Sequence, residues 1–128
     1  MSEEEKKKIL LVEDDVFIRD IYYTKFSQEG FDVTTADNGL EALKKLEEMV
    51  PDVMLLDIVM PYMDGIEVLK EMKENEDWKK IPVIMLTNIS EKDRLTETMQ
   101  QGIDGYLIKS HFTPSEVVAK VHALLLKK

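Results

Sequence analysis

Four apolar residues, Val53-Met54-Leu55-Leu56, run without a break into a carboxylate, Asp57. Pro51 stands just ahead of the run, and Pro61 and the Asp64-Gly65 pair turn the chain after it. A short unbroken apolar run between breakers reads as a strand buried on both faces. Such strands belong to parallel sheets covered by helices. Ligands of open parallel sheets bind outside the carboxyl ends of the strands. Asp57 stands at such an end, so it is expected to be rigidly held and exposed enough to react.

The same pattern recurs along the chain. Ile9-Leu10-Leu11-Val12 is a second all-apolar run and ends in Glu13-Asp14-Asp15. Phe31-Asp32-Val33-Thr34-Thr35-Ala36 alternates only in part, which suits an edge strand. Val83-Ile84-Met85-Leu86 follows Pro82 and ends in Thr87, and Tyr106-Leu107-Ile108 ends in Lys109. Helical spacing separates these strands. Ile18, Ile21, Tyr22 and Phe26 define an inner face of the first helix, which Gly30 ends. Asp37-Asn38-Gly39 caps a second helix that buries Leu40, Ala42, Leu43 and Leu46. Ile66, Leu69 and Met72 face inward on a third helix over residues 65–75, and Trp78 pins the charged loop after it. A fourth helix over residues 90–101, opened by Ser90 with Asp93 three residues on, has only Leu95 and Met99 as strong apolar residues. It is expected to be loosely held. Thr113-Pro114 opens a fifth helix with Val117, Val118, Val121, Leu124 and Leu125 inward.

Five strand–helix units in alternation imply a doubly wound α/β fold: a five-stranded parallel sheet with helices on both faces. The flavodoxin-like order 2-1-3-4-5 sets strands one and three side by side at the switch point. Residues 1–7 form a charged lead-in, and residues 8–128 form the domain.

Composition excludes several functions. The chain of 128 residues suits a single core, and its net charge of −9 argues against direct nucleic-acid binding and favours cations. It contains no cysteine, which removes disulfides and thiolate metal sites. No apolar run reaches membrane-spanning length, so no membrane insertion is expected and the expected location is cytoplasmic.

The topology gathers Glu13, Asp14 and Asp57 in one crevice. Three carboxylates at close range need a proton or a cation between them. Oxygen ligands alone select a hard ion, Mg2+ before zinc. Thr87 adds a hydroxyl and Lys109 an ammonium. A cation, a hydroxyl and a lysine around an aspartate are the parts of phosphoryl transfer, with Asp57 as nucleophile. Each signal alone has a plainer explanation as a helix cap or a solvated loop residue. Their recurrence at four strand ends of an apolar sheet does not.

The set Ile9 to Asp15, Leu56-Asp57 with Met60-Pro61 and Asp64-Gly65, Leu86-Thr87, and Gly102 to Lys109 resembles the receiver domains of two-component response regulators, from Lys8 to about Leu125. The resemblance implies that Asp57 accepts a phosphoryl group from a sensor histidine kinase or a phosphotransfer protein. It implies that Glu13, Asp14, Asp57 and the backbone carbonyl of Val59 bind Mg2+. Lys109 would pair with the phosphoryl oxygens, Thr87 would swing toward them, and Tyr106 would change rotamer. Asp15 only starts the first helix. Such a domain is a signalling device and not a metabolic enzyme. The surface of the fourth helix, fifth strand and fifth helix is the expected output, as a homodimer face or partner site. The charges of residues 91–94, Asp104 and Lys120 either supply cross-subunit ion pairs there or form a solvated face, where exposed pairs contribute little. His111 and His122 are expected at the surface.

Ser110 stands where the family has a proline, often cis. A non-proline cis bond costs about 3–4 kcal/mol, so the Lys109-Ser110 peptide is expected to be trans or strained. Asn88 replaces a small residue. Val59 and Ile89 flank the family's water path and cannot orient water, so slow loss of the phosphoryl group is expected. An aspartate-nucleophile phosphatase is the main alternative, but it resembles Asp-x-Asp and Val59 stands at its second acid. A non-phosphorylated pseudo-receiver is disfavoured by the complete set of acids, Thr87 and Lys109. A flavin site is disfavoured because no Ser-, Thr- and Gly-rich loop follows the first strand.

Overall fold

The computed structural model describes residues 6–88, 94, 100 and 102–126. The strands β1 (Lys8–Val12), β2 (Asp32–Ala36), β3 (Val53–Asp57), β4 (Val83–Thr87) and β5 (Gly105–Ile108) form one parallel sheet. Their spatial order is β2-β1-β3-β4-β5, the doubly wound arrangement expected from the sequence. Helices α1 (Val16–Gln28), α2 (Gly39–Glu48), α3 (Gly65–Lys73) and α4 (Pro114–Leu126) cover it, and Lys109–His111 make a single 3-10 turn. The sequence-predicted fourth helix lies outside the described residues except for Arg94 and Gln100, so α4 is the fifth helix of the sequence reading. Ser90, Asp93, Leu95, Met99 and Ile89 are among the residues not described.

Strict alternation along the strands builds two apolar layers. Leu10, Val12, Met54, Leu56 and Met85 face α2 and α3, where they meet Ala42, Leu46, Ile66, Val68, Leu69 and Met72. Ile9, Leu11, Val53, Leu55, Leu86 and Leu107 face α1 and α4, against Tyr22, Phe26, Val117, Val118 and Val121. Burial of one such side chain stabilises by about 1.5–3 kcal/mol. The β2 strand is an edge, and its Val33, Thr34 and Thr35 are only half-buried. Trp78 packs against the first layer and holds the loop after α3.

Local chemistry sets the helix ends. Asp15 caps α1 by accepting from the Phe17 and Ile18 amides, as read from the sequence. Gly30 follows that helix with φ +92°, a value that a side chain would strain. Asn38 caps α2, and Asp64 with Glu67 forms a reciprocal capping box on α3. Two expected core residues are not in the core: Ile21 is 52% and Leu40 50% exposed. The buried stripe of α1 runs through Tyr22 and Phe26, and Ile21 is rotated about 100° from Tyr22 at 3.6 residues per turn. Leu40 likewise lies off the stripe of Ala42 and Leu46.

One backbone position is strained. Tyr62 has φ +68°, and the Met63 amide donates across it to the Pro61 carbonyl at 2.8 Å. A three-residue turn with positive φ at its centre is the unfavourable form. The ring gains little in return, because Tyr62 is 83% exposed. Tyr62→Asn should therefore raise the unfolding free energy by about 0.5–1 kcal/mol, measured by urea denaturation. An unchanged or lower value would show that the ring makes a stabilising contact.

Candidate functional site at the strand ends

Register and alternation assemble the site. Val12 pairs with Leu56, so the next residues, Glu13 and Asp57, leave adjacent strands at the same level. Leu11, Leu55 and Leu107 all belong to the layer facing α1 and α4. Two residues further on, Glu13, Asp57 and Lys109 project to that same side. The Lys109 ammonium spans the two acids, donating to Glu13 Oε1 at 2.6 Å and to Asp57 Oδ2 at 3.0 Å. Its side chain is only 11% exposed.

Glu13 is held at every polar atom. Its amide donates to the Ala36 carbonyl, extending the β1–β2 ladder, and its carbonyl accepts from Arg19 Nη1 at 2.9 Å. Oε2 accepts from the Asp15 amide at 3.1 Å. Asp57 differs, because Oδ1 is buried without a hydrogen-bond partner among the described residues. Asp57 is 3% exposed, which corrects the expectation of a solvent-exposed carboxylate. The reason is Lys109, whose reach across β4 to β3 closes the pocket. Asp14 is exposed, and the carboxylates of Glu13, Asp14 and Asp57 each offer an oxygen within 4.8 Å of the others.

Burial, and then the neighbouring Glu13 charge, push the Asp57 carboxyl up to about 8 against the opposing pull of Lys109. Burial and Glu13 also raise Asp14. For Lys109 burial acts downward, but Asp57 and Glu13 together outweigh it and hold the ammonium above its ordinary range. This is a cluster with more negative charge than one lysine neutralises. An orphaned carboxylate oxygen in an all-oxygen set is the environment that a hard divalent cation fits.

The loop after β3 is drawn tightly over Asp57. The Gly65 amide donates to the Ile58 carbonyl at 2.7 Å, and a Cβ on Gly65 would lie 2.2 Å from the Asp57 carbonyl oxygen. Gly65 is therefore a positioning residue for Asp57, beyond its expected part in a turn. Val59 lies in this loop with a half-exposed side chain. Thr87 ends β4 fully buried, and its hydroxyl donates to the Asn88 carbonyl at 3.1 Å. It follows Leu86, which pairs in register with Asp57, and stands two residues after Met85 of the α2–α3 layer. Tyr106 pairs in register with Met85, shares Thr87's face and is 47% exposed. The Lys109-Ser110 peptide is trans, as are all those described.

The charged residues expected to pair across subunits have partners within the chain. Arg94 meets Asp64 at 2.5 Å, Asp104 accepts from the Val83 amide, and Lys120 lies over the Phe112 ring. Residues 91–93 are outside the described part. His111 and His122 are exposed, and His122 packs on Phe31 at 5.0 Å between ring centroids.

Fold and site together define a flavodoxin-like signalling domain with an acidic, lysine-bridged pocket at its switch point. The chain matches the family model for the response regulator receiver domain over residues 9–122, and it belongs to that family. It is 40% identical over 119 residues to the alkaline phosphatase synthesis transcriptional regulatory protein PhoP of Bacillus subtilis, covering 93% of this chain and 48% of the relative. It is 42% identical over 118 residues to the transcriptional regulatory protein CpxR homolog of Haemophilus influenzae, covering 92% of this chain and 50% of that one. The chain thus spans about half the length of these relatives. Among solved structures, the chemotaxis response regulator CheY4 of Vibrio cholerae superposes with a TM-score of 0.85 at 30% identity, covering 93% of this chain and 98% of that one. The protein is a receiver domain of the two-component response regulators, and the phosphoacceptor role fits its site. No helix among the described residues is long and apolar enough to cross a membrane.

Proposed function

We propose that Asp57 is the phosphoacceptor and that a phosphohistidine of a sensor kinase or phosphotransfer protein is its donor. The observation that carries this is the Asp57 carboxylate at the switch point, with Oδ2 on Lys109 and Oδ1 unclaimed. A carboxylate oxygen of Asp57 attacks phosphorus and the O–P bond forms. The N–P bond of the donor breaks, and the donor imidazole keeps its electron pair. The Lys109 ammonium turns from the carboxylates to the equatorial oxygens, where negative charge is spread in the transition state. Thr87 exchanges its bond to the Asn88 carbonyl for a phosphoryl oxygen, and Tyr106 takes up the space behind it. Glu13, Asp14, Asp57 and the Val59 carbonyl hold Mg2+. When bound, the ion offsets the charge of these carboxylates and of the phosphoryl oxygens. The domain acts in the cytoplasm, and its output face includes β5 and α4.

The test is incubation with a small-molecule phosphodonor and magnesium, followed by intact mass. One phosphoryl group should appear on the wild type and none on Asp57→Asn. Equal labelling of both would overturn the assignment of Asp57. Cation binding has its own check. Magnesium at about ten times its dissociation constant should raise the unfolding free energy by about 1.4 kcal/mol. The gain should shrink toward acid pH, where a proton competes for Asp57. A stability indifferent to magnesium at about pH 8 would remove the ion from the site.

A further inference from the structure

We infer that Arg19 is a positioning residue for the cation site: it fixes the Glu13–Asp14 peptide and so aims both carboxylates. This rests on the reading that Glu13, Asp14 and Asp57 hold Mg2+. Arg19 sits one turn into α1, half-buried, and its Nη1 donates to the Glu13 carbonyl at 2.9 Å. That carbonyl belongs to the peptide that carries Asp14. The β1 ladder has ended at this point, because β1 stops at Val12 and the Glu13 amide makes its last rung to Ala36. Nothing in the sheet therefore sets the rotation of the next peptide. Asp14 is exposed, and its carboxylate meets only the Glu13 side chain and its own amide among the described residues, so its aim follows that of the Glu13–Asp14 peptide. The arginine supplies the constraint from the helix that the same acidic run begins, since Asp15 caps α1. A planar guanidinium on a carbonyl is a directional bond, which an ammonium on a flexible stem reproduces less well.

The charge of Arg19 works in the opposite sense. A cation near the carboxylates repels magnesium, so deleting it on electrostatic grounds alone would tighten binding. The two roles thus predict opposite signs. In calorimetric titration with magnesium chloride, Arg19→Ala should weaken binding by about 10-fold, as loss of groups that orient metal ligands does. Arg19→Gln keeps an amide donor without the charge, so it should bind more tightly than Arg19→Ala. The Arg19→Ala defect should persist at about 0.5 M salt, where charge effects between exposed groups are screened. Tighter binding by both variants would overturn the proposal and leave Arg19 a bystander charge. Unchanged affinity with lower stability would make it a structural residue only. Absence of magnesium binding in the wild type would instead overturn the metal reading on which this rests.

Discussion

Lys109→Met should lower the unfolding free energy by about 3–5 kcal/mol at about pH 9 and by much less at about pH 6, measured by urea denaturation in metal-free buffer. The size follows from what the ammonium does. It is nearly buried and bridges Glu13 and Asp57, which are 0% and 3% exposed. Methionine keeps most of the volume but leaves two buried carboxylates facing each other. Their repulsion has one relief, protonation of one partner. The pH dependence gives the sign. The folded-state value of Asp57 is already raised to about 8, above its unfolded value. Stability is therefore greatest below the unfolded value and falls as pH rises toward about 8, because the folded state holds a proton that the unfolded state has lost. Without Lys109 the folded value climbs further, so the fall continues past that point. A defect of equal size at both pH values would mean that lost packing, not lost charge compensation, is responsible.

How much of this was legible in the sequence follows from the range of each interaction. Glu13, Asp14, Asp57 and Lys109 could be placed because each ends or follows an apolar run, and alternating strands and helices leave a few sheet orders, of which the flavodoxin-like one assembles them. The burial of Asp57 could not be read, since it depends on a side chain reaching from β5 across β4. Gly65 was legible as turn chemistry, but its close approach to the Asp57 carbonyl is a property of the closed loop. Arg19 leaves only a faint trace in the sequence, a basic residue one turn into a helix that starts right after the strand-end acids. Thr87 was legible as a strand-end hydroxyl, but its burial and its bond to the Asn88 carbonyl depend on the folded loop after β4. Ile21 and Leu40 show the limit of spacing alone, because a position at the edge of a stripe is apolar in sequence and solvent-facing in the fold.

Asp57→Asn should be more stable than the wild type by about 2–3 kcal/mol at about pH 8 in metal-free buffer, while losing all phosphoryl uptake. The gain arises because burial and Glu13 both oppose the charge on Asp57. The amide removes that charge at little change in volume, and Lys109 stays paired with Glu13. It also gives Oδ1's position to a neutral group, so no buried anionic oxygen is left without a partner. The advantage should grow from about pH 4 to about pH 8 and then level off, because that is the window between the unfolded and folded values of the group removed. Magnesium at about 1,000 times its dissociation constant, a gain of about 4.1 kcal/mol, should reverse the order by stabilising the wild type and not the variant, since the variant lacks a ligand. A site built for folding alone would show no such crossing. Chemical denaturation of both proteins with and without magnesium, across this pH range, reads the trade directly. A variant less stable than the wild type in metal-free buffer at every pH would mean that the Asp57–Lys109 bond outweighs burial and Glu13, and that the pocket holds no excess charge for a cation to relieve.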